Sequence, residues 1–282
     1  MPADMFHLDA YLARIGHTGP RDPSLAVLRA VIAAHTAVIP FENIDVFLGR
    51  GVSLDSAVLQ RKILDGRRGG YCFEQNTLLR AALSAMGFDV TGLMARVVRG
   101  MDATAQTPRT HMTLRVDLPE GPFLADVGFG NLAPTAPLAL AQEREQKTLH
   151  EACRLLPVGQ EWLLQARLAG GWANVYRFPL QPQFDIDYEV GNWFTSTRPG
   201  GMFVSNLIVA RPADGCRMTL FNRQFARRSM DGRVERRELR SADDYGRTLA
   251  DAFGIVLNEE DLAQLAEAVQ QRTSGDAHPF FA

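Results

Sequence analysis

Residues 67–76, RRGGYCFEQN, set one cysteine behind two glycines and ahead of a glutamate and two amides. A thiol at neutral pH is mostly protonated and becomes a nucleophile only where its surroundings stabilise the thiolate. Cys72 stands where a helix is expected to begin, and a helix N-terminus offers unpaired N–H groups and partial positive charge. Gly69 and Gly70 allow a tight turn and keep bulk off the approach to sulfur. The competing reading is a small buried hydrophobe.

A nucleophile needs a base, and the base needs an orienting group. His111 opens the strand-like run HMTLRV, and Asp126 interrupts the apolar run FLADVGFG, where a carboxylate is costly unless hydrogen-bonded or paired. The other histidines suit the role less: His7, His17 and His278 lie toward the ends, His150 in a charged stretch and His35 on a helix. A simple hairpin about Pro119–Gly121 would offset His111 and Asp126 by roughly three residues, about 10 Å. A bulge or strong curl would then be needed to bring them together.

The elements around these residues change character along the chain. Asp22-Pro23 is expected to open a helix carrying Leu25, Leu28, Val31 and Ile32. A second helix is expected from Ser53 to Gly66, and a third from Cys72 to Gly87. From about residue 90 to 200, short β-branched and aromatic runs separated by Gly and Pro predict a sheet or barrel. Beyond lie strands about an Asp231-Gly232 turn, then helices beginning at Ser241 and Asn258. The order predicts an α+β protein of three packed regions, 1–90, 91–200 and 201–282.

Composition narrows the function. The 282 residues are 46% hydrophobic and 22% charged, an ordinary globular balance with a net charge of -2. That charge argues against a nucleic-acid footprint, and the pairs Arg227-Arg228 and Arg236-Arg237 read as solvated strand ends. Three cysteines without CxxC spacing predict neither a disulfide scaffold nor a metal site, and point to a reducing cytoplasm. No secretory leader is read at the N-terminus, and the run SLAVLRAVIAAHTAVIP is broken by Arg29 and His35 and too short for a bilayer.

Five segments, in this order, resemble the signature segments of arylamine N-acetyltransferases: IPFENIDV (39–46), RRGGYCFEQN (67–76), THMTLRV (110–116), DVGFGN (126–131) and NWFTSTRPGGMF (192–203). The resemblance implies a helical N-terminal bundle, a central β-barrel and a C-terminal α/β lid, with a triad of Cys72, His111 and Asp126. It implies acetyl transfer from acetyl-CoA to arylamines or arylhydrazines through an acetyl-cysteine in a ping-pong scheme, without a metal. Phe41, Val98, Phe129 and Phe203 would wall the acceptor pocket, backbone N–H groups near Cys72 and Thr110 would receive the oxyanion, and Thr107 and Gly130 would meet CoA. Glu42 and Arg68 read as a structural ion pair.

Asn131, Arg198 and Gly200-Gly201 depart from the common pattern and bear on substrate preference. The expected partners are small molecules, with no nucleic acid and no membrane; monomer and homodimer stay open. Two rivals remain at this point. A papain- or transglutaminase-type enzyme shares the Cys, His, Asp order, and a binding protein could keep the cleft without turnover.

Overall fold

The structure, a computed structural model, describes residues 6–141 and 143–272, so His278 lies outside the described residues. Helix α1 (Leu8–Ile15) packs on α2 (Leu25–Val38). The cap of α2 is Ser24, two residues beyond the expected Asp22, its hydroxyl accepting the Val27 N–H at 3.4 Å. After a short strand β1 (Phe41–Glu42) and the turn of helix α3 (Ile44–Phe47), Asp55 caps α4 (Ser56–Gln60), which runs on to Asp65 as a π-helical turn. Helix α5 (Cys72–Ala85) ends before Gly87, whose φ of +85° is the left-handed conformation that glycine adopts without a Cβ clash. Tyr11, Leu28, Ile32, Phe73 and Leu83 are fully buried where these helices meet.

The middle of the chain folds into a seven-stranded antiparallel sheet, ordered β5-β4-β3-β2-β8-β7-β6. Its members are β2 (Asp89–Val97), β3 (Arg109–Leu118), β4 (Gly121–Ala125), β5 (Leu138–Ala139), β6 (Cys153–Val158), β7 (Glu161–Leu168) and β8 (Gly171–Phe178). Gln146 joins the two edges. Its backbone exchanges bonds with Cys153 of β6, at 2.8 and 2.9 Å, while its side-chain amide bonds the Ala139 N–H and carbonyl of β5, at 2.7 and 2.9 Å. The sheet thereby curls into a nearly closed barrel around Leu93, Leu155, Leu164 and Val175.

Two corrections concern the borders. Helix α6 (Asp185–Thr197) lies inside the stretch read as strands. From Phe184 to Val190 apolar and polar residues alternate, which is a strand's period. The helix forms nonetheless, with Asp187 accepting the Phe184 N–H at 2.8 Å, and it buries Tyr188 while Ile186, Val190 and Trp193 stay exposed. After the short helix α7 (Met202–Ser205), strands β9 (Ile208–Ala213), β10 (Cys216–Phe221), β11 (Gln224–Ser229) and β12 (Val234–Glu238) form a second antiparallel sheet. Its far edge is β1, Phe41 pairing with Ala210 and Glu42 with Val209, so the N-terminal region donates a strand to the C-terminal one. Helices α8 (Ala242–Thr248) and α9 (Glu259–Arg272) complete that region. Among the described residues no helix is long and apolar enough to cross a membrane.

A buried charge cluster supports the turn ahead of α5. Arg68 bonds Glu42 at 2.8 and 2.9 Å and reaches Asp45 at 3.4 Å, while Lys62 bridges Asp45 and Glu74, both at 2.7 Å. Glu74 in turn accepts the Tyr71 N–H at 3.0 Å, closing the first turn of α5. A Cβ on Gly69 would lie 2.0 Å from the Pro40 carbonyl oxygen, and one on Gly70 2.8 Å from the Glu74 Cβ. The two glycines are therefore required by close packing from beneath. Removing the guanidinium would strand the fully buried Glu42 carboxylate. Arg68→Ala is expected to lower unfolding stability by about 3–5 kcal/mol in urea titrations; a loss within error of zero would show that the cluster does not depend on this pair.

Candidate active site

Cys72 is the first residue of α5 and is 2% exposed, its thiol 3.6 Å from the carbonyl oxygen of Thr110. Thr110 is the extra residue of a bulge: His111 pairs with Ala95 and Arg109 with Arg96, so Thr110 has no partner opposite it on β2.

The hairpin carrying the other two groups turns through Pro119-Glu120, with Leu118 opposite Gly121 and Leu114 opposite Ala125. Extending this register sets Asp126 opposite Thr113, two residues from His111 rather than three. An even offset keeps both side chains on one face. His111 Nε2 and Asp126 Oδ2 are 2.7 Å apart, both residues almost wholly buried. No bulge in this hairpin is needed; the expected three-residue gap came from centring the turn on Glu120 instead of between Pro119 and Glu120, a slip of one residue in register.

With Nε2 committed to Asp126, Nδ1 is the nitrogen left for the Cys72 thiol. Burial alone would disfavour the imidazolium, but the Asp126 charge and hydrogen bond, then the contact with Cys72, outweigh it and raise the His111 pKa to about 10. Burial would likewise raise the Asp126 pKa, yet His111 and hydrogen bonds from Asn76 and Gly128 hold it below the usual carboxylate range.

Asn76, one turn beyond Cys72, was not singled out by the sequence reading. Its Nδ2 donates to Asp126 Oδ1 at 2.9 Å and to the Met112 carbonyl at 2.7 Å, and its Oδ1 accepts the Val127 N–H at 3.1 Å. One amide thus ties the nucleophile's helix to the strand of the base and the loop of the acid. Gln75 fixes the other side, donating to the Pro40 and Gly70 carbonyls at 3.1 and 2.7 Å. Gly128 donates its N–H to Asp126 Oδ1 at 2.8 Å, and a Cβ there would lie 2.7 Å from the Cys72 Cα. Tyr176 was also missed, reading as one more aromatic in a strand; its ring lies 4.7 Å from the His111 ring. Nothing in the sequence signals that contact, because the two residues lie on different strands.

Above the thiol opens a cavity of about 290 Å³. Phe41, Phe129 and Phe203 line it, as do Thr107, Thr110 and Gly130, all expected here. Val98 does not: it is fully buried, its N–H bonded to the Val175 carbonyl at 3.1 Å, and Val97 takes the wall instead. Met101 and Met202 add apolar surface. Asn131 is on the wall, held by Arg99 at 2.5 Å, whereas Arg198 and Gly200-Gly201 are not, Arg198 stacking over Phe194. Larger clefts of about 570 and 910 Å³ do not touch Cys72.

A family model described as N-acetyltransferase matches residues 24–262. The chain is 41% identical over 257 residues to the arylamine N-acetyltransferase of Mycolicibacterium smegmatis, covering 89% of this chain and 93% of that one. It is 38% identical over 253 residues to that of Escherichia coli K12, covering 89% and 90%. The structure of the Mycobacterium marinum arylamine N-acetyltransferase in complex with CoA superposes with a TM-score of 0.89 at 38% identity, covering 94% of this chain and 99% of that one. The chain belongs to the arylamine N-acetyltransferase family. As a member of this family it is an acyltransferase, and the α+β architecture expected from the sequence is the one that family shares.

In this arylamine N-acetyltransferase the His111–Asp126 pair has a definite pH signature. A raised histidine pKa stabilises the fold fully below the ordinary value of 6.5, and that contribution is lost as pH climbs through about 10. The lowered Asp126 pKa contributes above the ordinary 3.8 and is lost as pH falls. The coupling energy from a His111→Gln/Asp126→Asn double-mutant cycle, read by urea unfolding, should therefore be greatest between about pH 4 and 6.5 and shrink toward pH 10. A coupling that stays flat to pH 10 would show that no ion pair forms.

Proposed function

We propose that this chain transfers an acetyl group from acetyl-CoA to the nitrogen of arylamines or arylhydrazines, by a ping-pong sequence through an acetyl-Cys72 intermediate. The carrying observation is the buried Cys72, His111 and Asp126 relay at the base of one aromatic-walled cavity.

In the first half-reaction Cys72 Sγ attacks the thioester carbonyl while His111 holds the thiol proton, and Asp126 keeps the imidazole oriented. The C–S bond to CoA breaks and His111 returns the proton to the departing thiolate. One thioester replaces another, so the acetyl-enzyme keeps its transfer potential. In the second half the amine nitrogen attacks the acetyl carbon, His111 takes its proton, and that proton passes to Cys72 as its C–S bond breaks. Arylamines have low pKa values and meet the enzyme as neutral nucleophiles. The N–H groups at the open first turn of α5 and beside Thr110 are the oxyanion donors this reading assigns.

The wall residues suit both substrates. Phe41, Phe129 and Phe203 offer flat apolar surface for an aromatic ring. Thr107 Oγ1 is buried on the same wall without a hydrogen-bond partner among the described residues, as expected of a group that meets an amide or thioester of the donor. The relative solved with CoA supports the donor, and the names of the relatives support the acceptor class. All three cysteines are free thiols, in keeping with the reducing cytoplasm this reading assigns.

Intact-protein mass spectrometry after mixing with acetyl-CoA, without amine, tests the proposal. One added acetyl group is expected on the native chain, absent from Cys72→Ala and discharged by an added arylamine. An unmodified native chain whose Cys72 still alkylates rapidly at neutral pH would instead point to a different acyl donor.

A further inference from the structure

A chain of buried hydrogen bonds runs through the helical bundle to the turn that carries Cys72. Tyr11 of α1, His35 of α2 and Gln75 of α5 are each 0% exposed. The Tyr11 hydroxyl lies 2.9 Å from His35 Nδ1, and His35 Nε2 lies 3.2 Å from Gln75 Oε1. One direction of donation satisfies every group. Both amide hydrogens of Gln75 go to carbonyls, those of Pro40 and Gly70, so its Oε1 must accept. His35 therefore carries its hydrogen on Nε2 and accepts the Tyr11 hydroxyl at Nδ1. Burial pulls the His35 pKa down to about 3, outweighing the bond to Gln75, so the ring is neutral around pH 7.

Apolar side chains would fill this part of the bundle without any buried polar atom to satisfy. The bonded chain instead ends on two particular carbonyls. Pro40 precedes Phe41 of the cavity wall, and Gly70 lies two residues before Cys72. The two segments also meet directly, the Glu42 N–H donating to Gly70 at 3.0 Å and the Gly70 N–H to Pro40 at 3.4 Å. Gln75 stands one turn beyond Cys72 on α5, so its amide sets where the start of that helix lies against β1. A buried polar network with every member satisfied specifies one arrangement, because any shift strands a donor or an acceptor away from water. A shift here would move the sulfur relative to the Phe41 ring.

We propose that His35 is a positioning residue for the transfer reaction: by donating to Gln75 it holds the Cys72 turn and the Phe41 wall at the separation the reaction needs. The inference rests on the acetyl transfer proposed above. His35 does not line the cavity and acts through Gln75, while Tyr11 fixes which ring nitrogen carries the hydrogen. The Nε2–H is the operative group, so an amide nitrogen at the same reach can stand in for it and a hydrocarbon cannot.

The test reads two quantities per folded enzyme, the folded fraction being set by urea titration. One is the rate of Cys72 alkylation by iodoacetamide at neutral pH; the other is kcat and KM with acetyl-CoA and an arylamine. His35→Leu should slow alkylation and lower kcat by about tenfold, within the hundredfold that a 1 Å misplacement can cost. His35→Gln, which offers a donor nitrogen at the reach of Nε2, should restore most of both. Gln75→Met should reproduce the loss, and the double variant should lose no more than Gln75→Met alone, because His35 acts through that amide. A lowered urea midpoint with alkylation and kcat unchanged would make the network structural only and overturn the proposal. Losses that multiply in the double variant overturn it too, as does a His35→Gln enzyme no better than His35→Leu. Should His35→Leu fail to fold, His35→Gln and Gln75→Met decide: the proposal requires rates close to native in the first and about tenfold lower in the second. Alkylation needs no acyl donor. Variants that alkylate as expected, beside a native chain that acetyl-CoA never acetylates, would remove the transfer reading and leave the positioning of Cys72 standing.

Discussion

An ionised carboxylate with almost no access to water governs the layout of this molecule. Asp126 is 1% exposed, and a charge so placed is tolerated only when its lone pairs are met. Three donors meet them: the His111 ring, the Asn76 amide and the Gly128 N–H. Each comes from a different element, namely β3, α5 and the loop after β4. Satisfying the carboxylate therefore docks the helix bundle on the barrel, and that docking is what brings Cys72 under the imidazole. The groups that make the fold cohere here are the groups that align the chemistry.

The same economy of space explains where glycine is indispensable. At Gly69, Gly70 and Gly128 the backbone φ is not positive, so conformational freedom is not the reason. Each sits where another chain segment comes too close for a Cβ: the Pro40 carbonyl, the Glu74 side chain and the Cys72 Cα itself. The nucleophile is thus clamped between two glycine contacts, one on the turn that precedes it and one on the loop that follows the acid. Beneath the turn the contacts run Glu42–Arg68–Asp45–Lys62–Glu74, alternating in sign, so that each cation is shared by two of the three carboxylates.

Much of the site was legible in the sequence because its signals are local. A cysteine after a Gly-Gly turn, at a helix start, marks itself, and a carboxylate inside an apolar strand does too. Register is not local. A register slipped by one residue exchanges an even offset for an odd one and sends His111 and Asp126 to opposite faces. The same two-residue period separates Val97, on the cavity wall, from Val98, in the core. Helix α6 was hidden by strand-like alternation. The two-residue strand β1 carried no periodicity at all, since its partner, β9, lies far along the chain. Asn76 and Tyr176 were invisible for a related reason: their roles exist only across elements, and neither residue type announces such a role in isolation.

The placement of charge around the cavity carries one further consequence. Its lining is mostly aromatic, aliphatic and glycine, with Thr107 and Thr110 among them and Arg99 and Asn131 at one side. An apolar wall excludes water from the sulfur and strengthens the field of the His111–Asp126 pair, because little solvent remains to screen it. Arg99 sits at the boundary, held by Asn131, with the guanidinium-rich cleft of about 570 Å³ on its far side, where Arg228 turns inward to Glu151. The charged cleft and the apolar cavity are thereby separated by one residue pair. Under the acetyl-transfer reading, donor and acceptor reach the sulfur through the same cavity of about 290 Å³. Parking the acetyl group on Cys72 lets the two substrates use that space in turn, and confining the strong charges to the neighbouring cleft keeps them from solvating the thioester in between.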